Sequence, residues 1–171
     1  MGKTEAGKRI VISDAGPLIH LDELDCLDLL DYPEVLVSEA VWREVARHRP
    51  QALHSPAINL KLNAVDALSS RVAAVSPLFG LHHGEQEVLT LCIQTRDSLF
   101  LTDDAAARMA ADSLKVPARG TIGLIIRGVR RHLRTPQEGL NLLGDIPNRS
   151  SLHIRPALLE RILRQVGQEW G

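Results

Sequence analysis

The strongest constraint on the fold is a short apolar run near the start of the chain that stops at a carboxylate. The run Ile10-Val11-Ile12-Ser13 ends at Asp14, and the chain then turns through Ala15-Gly16-Pro17. This pattern is typical of a buried parallel strand whose last residue lies at the edge of a sheet. In open α/β sheets, ligands bind at that edge. We therefore predict that Asp14 begins an acidic cluster that holds a divalent metal ion.

Strand and helix patterns alternate along the rest of the chain. Apolar residues three to four apart predict helices, notably at 17–30, 84–96 and 120–133. Short apolar runs predict strands, at 35–37, 98–102 and 115–118. The proline-containing segment 47–79 is interpreted as a helix at 63–70 and a strand at 72–75. This alternation predicts an α/β protein with a parallel sheet covered on both faces.

Length and composition indicate one domain with a short extension. The 171 residues suffice for one core, divided here into a flexible segment 1–8, a domain 9–135 and a C-terminal extension 136–171 packed on it. In that extension, residues 136–143 and 156–166 are expected to form two helices joined by a loop at 144–148.

Charge and cysteine content limit the partners and the compartment. A net charge of −1 gives no global attraction to nucleic acid, so local basic patches or a metal would have to hold a polyanion. Cys26 and Cys92 lie in leucine-rich segments without metal-ligand spacing, which indicates buried thiols in a reducing compartment. No apolar run reaches the roughly 20 residues needed to cross a bilayer. We therefore expect a cytoplasmic protein with no membrane partner.

A second predicted strand also ends at acidic residues. The run Leu99-Phe100-Leu101-Thr102 is followed by Asp103 and Asp104. Parallel strands of one sheet bring such residues to the same edge, and like charges held together there are costly unless a cation neutralises them. Either aspartate has an alternative role as the cap of the following helix, so both need not be ligands.

Helical periodicity places one glutamate on an apolar face. Glu85 stands three, four and seven residues before Val88, Leu89 and Cys92, so we expect it to face inward, whereas Glu87 is expected to be solvated. A buried carboxylate must be paired, protonated or metal-bound; the alternative is a first-turn acid that complements the helix dipole.

A further helix is predicted from Glu39 to Val45, with Ser38 as its N-cap. Periodicity does not decide which of its two acids, Glu39 or Glu44, is the candidate site residue. The histidines, including His82 and His83, have no zinc-binding spacing and are interpreted as surface or loop residues.

Taken together, these motifs resemble those of PIN-domain proteins, in the prokaryotic branch related to VapC-type toxin ribonucleases. The resemblance runs from about residue 9 to 134 and depends on four short motifs, at Val11–Ile19, Val41–Val45, Gly84–Leu89 and Leu101–Asp104, the last followed by Ala107-Arg108. It implies a three-layer α/β/α fold with a parallel sheet, and a ribonuclease that depends on Mg²⁺ or Mn²⁺.

The resemblance also assigns residues. Asp14, Glu44 and Glu85 match the first three acids of the family, and Asp103 or Asp104 matches the fourth. Asp14, Glu85, Asp103 and Asp104 are the implied metal ligands. A toxin-type nuclease would further imply an antitoxin that covers the acidic pocket, and a homodimer.

One position departs from the family pattern. The family usually carries Ser or Thr two residues after the first acid, where this chain has Gly16. Ser13 and Thr102 are candidates for supplying the missing hydroxyl, and Thr102 is also a candidate substrate contact. The alternative function is therefore an inactive PIN-like domain that binds protein or RNA.

Two other classes of protein fit the sequence less well, and a set of arginines is a candidate substrate contact. A phosphoacceptor receiver would need a lysine at the end of its last strand, whereas Lys115 begins that strand here. A haloacid-dehalogenase-type phosphatase would need an aspartate at position 16. Arginines of the late helix are candidates for contacting RNA phosphates: Arg127, Arg130, Arg131 and Arg134.

Overall fold

One parallel sheet organises the chain. The computed structural model describes residues 9–171, so the expectation for residues 1–8 lies outside the described residues. The strands are β1 (Val11–Ser13), β2 (Val35–Val37), β3 (Leu60–Leu62), β4 (Leu99–Leu101) and β5 (Ala118–Arg119). Their order is β3-β2-β1-β4-β5, and every neighbouring pair is parallel. Residues that follow β1 and β4 therefore meet at one edge.

Helices flank this sheet and complete the predicted three-layer α/β/α fold. In residues 9–171 they are α1 (Ala15–Glu23), α2 (Glu39–His48), α3 (Ser70–Phe79), α4 (His83–Gln94), α5 (Ala105–Ser113), α6 (Thr121–Arg130), α7 (Pro136–Arg149) and α8 (Pro156–Trp170). Two 3₁₀ turns lie at Leu27–Leu29 and Pro50–His54.

The hydrophobic core centres on the adjacent strands β1 and β4, which we call the two middle strands. Val11, Ile12, Phe100 and Leu101 have no exposed surface, as expected for strands covered on both faces. Both cysteines are free and buried, as predicted. Burial raises the pKa of each thiol to about 12.

The segment between α2 and α4 differs from the sequence prediction. The helix at 63–70 and the strand at 72–75 are both wrong, because the chain forms β3 earlier and α3 over Ser70–Phe79. Ser69 caps α3 by accepting a hydrogen bond from the amide of Arg71 (3.3 Å), and Val72 packs into the core. β3 is a partly exposed edge strand, so it lacks the apolar pattern by which buried strands are found.

Three element boundaries also differ. α1 ends at Glu23 instead of near residue 30, because Asp25 adopts the left-handed region (φ 54°). β5 begins at Ala118, since Lys115 is likewise left-handed (φ 62°). α7 continues through the predicted loop at 144–148 to Arg149, because helical spacing buries side chains on both sides of Gly144.

The C-terminal helices pack on the rest of the chain. Leu143, Ile146 and Val166 belong to the same hydrophobic cluster as the strands, and α7 contacts both α6 and α8. The domain boundary at residue 135 stays a prediction. An extended linker, residues 150–155, joins α7 to α8. No helix within residues 9–171 is long and apolar enough to cross a membrane.

Candidate active site

Asp14 lies immediately beyond the central strand, where the sequence predicted it. Its backbone amide donates to the carbonyl of Leu101 on β4 (2.8 Å), which fixes the chain at the edge of the sheet. Its side chain caps α1, because Oδ1 accepts a hydrogen bond from the amide of Ala15 (3.0 Å). The remaining oxygen, Oδ2, faces the residues that follow β4.

Thr102 joins the ends of the two middle strands. The residue is fully buried; its hydroxyl donates to Oδ2 of Asp14 (3.2 Å) and accepts from the amide of Asp104 (3.1 Å). Ser13, the other candidate, directs its hydroxyl to the backbone carbonyl of Asp14 (2.8 Å). Of the two, only Thr102 therefore reaches the carboxylate of Asp14 and organises it.

Asp103 is held by two residues that the sequence analysis did not identify. Its Oδ2 accepts hydrogen bonds from Nδ1 of His20 (2.7 Å) and from the hydroxyl of Thr121 (2.6 Å), and its Oδ1 accepts from the amide of Thr121 (2.7 Å). Interpreting all histidines as surface or loop residues was wrong for His20, which belongs to α1 and is mostly buried. A histidine placed among the buried apolar residues Leu18, Ile19 and Leu21 of α1 was the available signal.

Asp104 has a different role from its neighbour. Its Oδ1 accepts a hydrogen bond from the amide of Ala107 (2.7 Å) and so caps α5, the alternative foreseen for one of the pair. The residue is exposed, whereas Asp103 is half-buried. Adjacent aspartates at the end of β4 thus differ in surroundings, because successive side chains leave an extended backbone in opposite directions.

Glu85 is half-buried in the first turn of α4. Its Oε2 accepts a hydrogen bond from the amide of His82 (2.8 Å), which is the capping role given as its alternative. The side chain also lines the same cavity as Asp14 and Asp104. Capping engages one oxygen of the carboxylate, so it does not exclude metal ligation by the other.

Glu87 is not solvated, and that expectation is corrected. Its carboxylate is only 12% exposed and pairs with Nε2 of His83 (3.0 Å). The other oxygen accepts a hydrogen bond from the amide of Ala40 in the first turn of α2 (3.2 Å). Packing of α4 against α2 places Glu87 at a helix N-terminus, where a negative charge is stabilising.

The five predicted acids line one cavity of about 360 Å³ at the carboxyl edge of the sheet, which we call the acidic pocket: Asp14, Glu44, Glu85, Asp103 and Asp104. Glu44 reaches it from an exposed position on α2. The linker between α7 and α8 contributes Ser151, Leu152 and His153 to the wall. Hydrogen bonds from Ser151 to Glu23 tie this linker to the end of α1.

Electrostatics distinguish the carboxylates of the acidic pocket. Burial raises the pKa of Asp14 to about 7, and the charges of Glu85 and Glu44 add to this rise against two hydrogen bonds. Burial and repulsion from Asp104 and Glu44 also raise the pKa of Glu85. Burial likewise opposes ionisation of Asp103, but the hydrogen bonds from His20 and Thr121 outweigh it and lower its pKa.

The donor set suits a hard divalent cation in its chemistry. Carboxylate oxygens are the ligands that Mg²⁺ and Mn²⁺ prefer, and a cation would offset the burial and the repulsion that together raise the pKa of Asp14. Within residues 9–171, no three His, Cys, Asp or Glu side chains stand close enough together to hold an ion as they are placed. Holding a metal would therefore require some of these side chains to change conformation.

The four arginines in and just after α6 lie outside the acidic pocket. The guanidinium of Arg127 stacks over the ring of Tyr32, 4.2 Å from its centroid. Three further arginines form ion pairs: Arg130 with Glu169, Arg131 with Asp31 and Arg134 with Asp28. These contacts fasten α6 to its neighbours, and a role in RNA contact stays a prediction.

The fold and the acidic pocket define a three-layer α/β/α protein with a carboxylate site beyond the two middle strands. A family model for DUF3368, a PIN domain, matches residues 10–168. The match covers most of the chain, which therefore belongs to this PIN-domain family. PIN domains are generally nucleases that use divalent metals, so membership indicates a nuclease-type activity on nucleic acid. The comparison with curated proteins returns no match.

Proposed function

We propose that the protein is a metal-dependent ribonuclease that hydrolyses RNA phosphodiester bonds with Mg²⁺ or Mn²⁺ in the cytoplasm. The observation that supports this most is the acidic pocket, in which carboxylates from four separate segments of the chain line one cavity. Gathering like charges in this way costs folding free energy, which is understandable if the site serves a cation and a phosphate.

The residues of the acidic pocket have different proposed roles. Asp14, Glu85, Asp103 and Asp104 would hold the cation, and Glu44 adds charge from the rim. When bound, a divalent cation neutralises phosphate charge and makes water a stronger nucleophile. The hydroxyls of Thr102 and Thr121 orient Asp14 and Asp103, and His20 keeps Asp103 ionised through its hydrogen bond.

Gly16 does not bar this activity. A Cβ built at Gly16 would meet the ring of His20 at 3.4 Å and Oδ2 of Asp103 at 3.7 Å, so the missing hydroxyl would lie beside Asp103. His20 and Thr121 already supply hydrogen bonds to that carboxylate. They therefore replace the hydroxyl that the family usually places after the first acid.

The decisive experiment is cleavage of a 5′-labelled oligoribonucleotide with Mn²⁺ and with EDTA. We expect cleavage by the wild type only with Mn²⁺, and a loss of at least about 100-fold in Glu85→Gln and Asp14→Asn, beyond what outer-shell changes cause. Glu87→Gln is the matched control, because it makes the same chemical change on the same helix outside the pocket lining. Equal activity of Glu85→Gln and the wild type would remove Glu85 from the site.

The second candidate function is an inactive PIN-like binding module. Within residues 9–171 the carboxylates do not stand close enough together to hold an ion as they are placed, which favours this alternative. Wild-type protein that neither binds Mn²⁺ nor cleaves RNA, with Asp14→Asn binding RNA equally well, would support this alternative and refute the ribonuclease.

The more specific form of the proposal is that the protein is a toxin of the VapC type, with an antitoxin that covers the acidic pocket and with a homodimeric assembly. Its test is growth of a bacterial host that expresses the wild type or Asp14→Asn. Arrest by the wild type alone is the expected result, and equal growth would refute the toxin role.

A further inference from the structure

A second cavity, of about 650 Å³, opens beside the acidic pocket. We call it the arginine groove, because Arg108, Arg119 and Arg155 line it. The groove and the acidic pocket share Asp103, Leu152 and His153. The two cavities therefore adjoin, and the linker between α7 and α8 forms part of the wall of both.

The three arginines are free to meet an anionic ligand. In contrast with Arg130, Arg131 and Arg134, none of them is paired with a carboxylate in residues 9–171. Arg108 donates to the backbone carbonyl of Thr102 (3.2 Å), and Arg119 donates to the hydroxyl of Tyr32 (3.4 Å). Since neither contact neutralises charge, the groove carries net positive charge in a protein whose overall charge is −1.

Two glycines make room for these arginines. A Cβ at Gly120 would lie 2.7 Å from Nη2 of Arg108, and a Cβ at Gly123 would lie 2.9 Å from Cγ of Arg119. Gly123 lies inside α6, where glycine costs about 1 kcal/mol relative to alanine. The backbone of α6 is thus shaped to let both side chains lie along the groove.

The remaining lining is aliphatic, with Ile122, Ile154, Leu158 and Ile162 in the groove. Leu158 is 38% exposed and so presents apolar surface to the groove. Cationic and aliphatic surface side by side suits a single strand of RNA, whose phosphates pair with arginine and whose unstacked bases and riboses contact apolar side chains. A duplex hides its bases and has no such match.

We infer that the arginine groove binds single-stranded RNA and leads the strand to the acidic pocket. This inference rests on the proposed ribonuclease function and extends it by naming the path of the substrate. Arg119 and Arg155 contact phosphates on one side of the bond to be cleaved, and the shared wall at Leu152 and His153 marks the junction. The C-terminal extension thus contributes part of the substrate-binding surface.

The test is binding of a fluorescein-labelled single-stranded oligoribonucleotide in EDTA, followed by anisotropy as salt is varied. Each lost phosphate contact lowers the slope of log K against log salt by about 0.7, which at 0.1 M salt is about 5-fold in affinity. We therefore expect about 5-fold weaker binding in Arg155→Gln and about 25-fold in Arg119→Gln/Arg155→Gln. Because Arg155 is exposed, we expect the single variant to fold like the wild type.

Arg96→Gln is the matched control, because Arg96 is an exposed arginine after α4, away from the groove. It should bind like the wild type, and the duplex form of the oligonucleotide should bind more weakly to all variants. Unchanged binding by the double variant, or no binding by the wild type, would overturn the inference. So would tighter binding of an oligoglutamate of equal charge, which would assign the groove to an acidic peptide.

Cleavage with Mn²⁺ is measured separately on the same proteins. A wild type that binds RNA through these arginines without cleaving it would refute the ribonuclease and retain the groove. A wild type that cleaves, with a double variant that binds equally well, would refute the groove alone.

Discussion

Replacing Asp14 by asparagine should make the metal-free protein more stable at neutral pH. Asp14 is held in a half-buried position near Glu85 and Glu44, and its pKa rises from 3.8 to about 7. A group whose folded-state pKa is raised binds more protons in the folded state, so its stabilising contribution is full below about pH 4 and is lost as pH rises to about 7. The asparagine side chain would carry no charge and would keep an oxygen to accept from the amide of Ala15.

The size of this stabilisation follows from the pKa shift of Asp14. A difference of about 3 pH units corresponds to about 4 kcal/mol of unfolding free energy, at about 1.36 kcal/mol per unit. This is an upper value, and it is large beside the roughly 5–15 kcal/mol that stabilises a typical domain. Asp103 does not contribute within this range, because its pKa is lowered and its stabilising effect is lost only at more acidic pH.

The assay is urea unfolding in EDTA between about pH 4.5 and 7.5, a range that spans the raised pKa. Unfolding free energy of the wild type should fall relative to Asp14→Asn by a few kcal/mol across that range. Asp112→Asn is the control, since Asp112 is an exposed aspartate of α5 outside the lining of the acidic pocket, and its curve should parallel the wild type. A constant difference between wild type and Asp14→Asn at every pH would refute the assignment of a buried, repelled carboxylate to Asp14.

Further changes in the acidic pocket have expected outcomes. Thr121→Val removes the 2.6 Å hydrogen bond to Asp103, and should cost about 1–2 kcal/mol in urea unfolding and raise the Mn²⁺ concentration needed for cleavage; unchanged values would show that the hydroxyl is dispensable. Gly120→Ala places a Cβ 2.7 Å from Oδ1 of Asp103 and should lower unfolding free energy by about 1–3 kcal/mol. Gly16→Ser meets His20 only at 3.4 Å, so thermal unfolding should match the wild type with cleavage retained; loss of folding would contradict the space described there. Mn²⁺ at 100 times its dissociation constant should add about 2.7 kcal/mol to the unfolding free energy, and at a fixed Mn²⁺ concentration the increase should be largest above pH 7, where Asp14 is ionised. Asp14→Asn should respond less to Mn²⁺, and an equal response in both proteins would mean that Asp14 is not a ligand.

Much of the fold could be predicted because local pattern and tertiary environment agree. β1 and β4 are buried on both faces, so their apolar runs are continuous and easily recognised. β3 and α3 could not be placed, because an exposed edge strand carries little apolar signal. The end of α1 and the start of β5 depended on left-handed backbone positions at Asp25 and Lys115, which the hydrophobic pattern does not reveal.

Some residues of the candidate site could likewise be predicted from the sequence, and others could not. That Asp14 and the pair Asp103-Asp104 end strands could be predicted from where the apolar runs stop, and the helical period predicted that Glu85 faces the interior. The folded chain was needed to see that Thr102, Thr121 and His20 hold these carboxylates, that Asp104 caps a helix, and that the linker after α7 borders the pocket. Periodicity reports which side of an element faces inward, whereas hydrogen bonds between residues as far apart as 20 and 103 exist only once packing has brought their elements together.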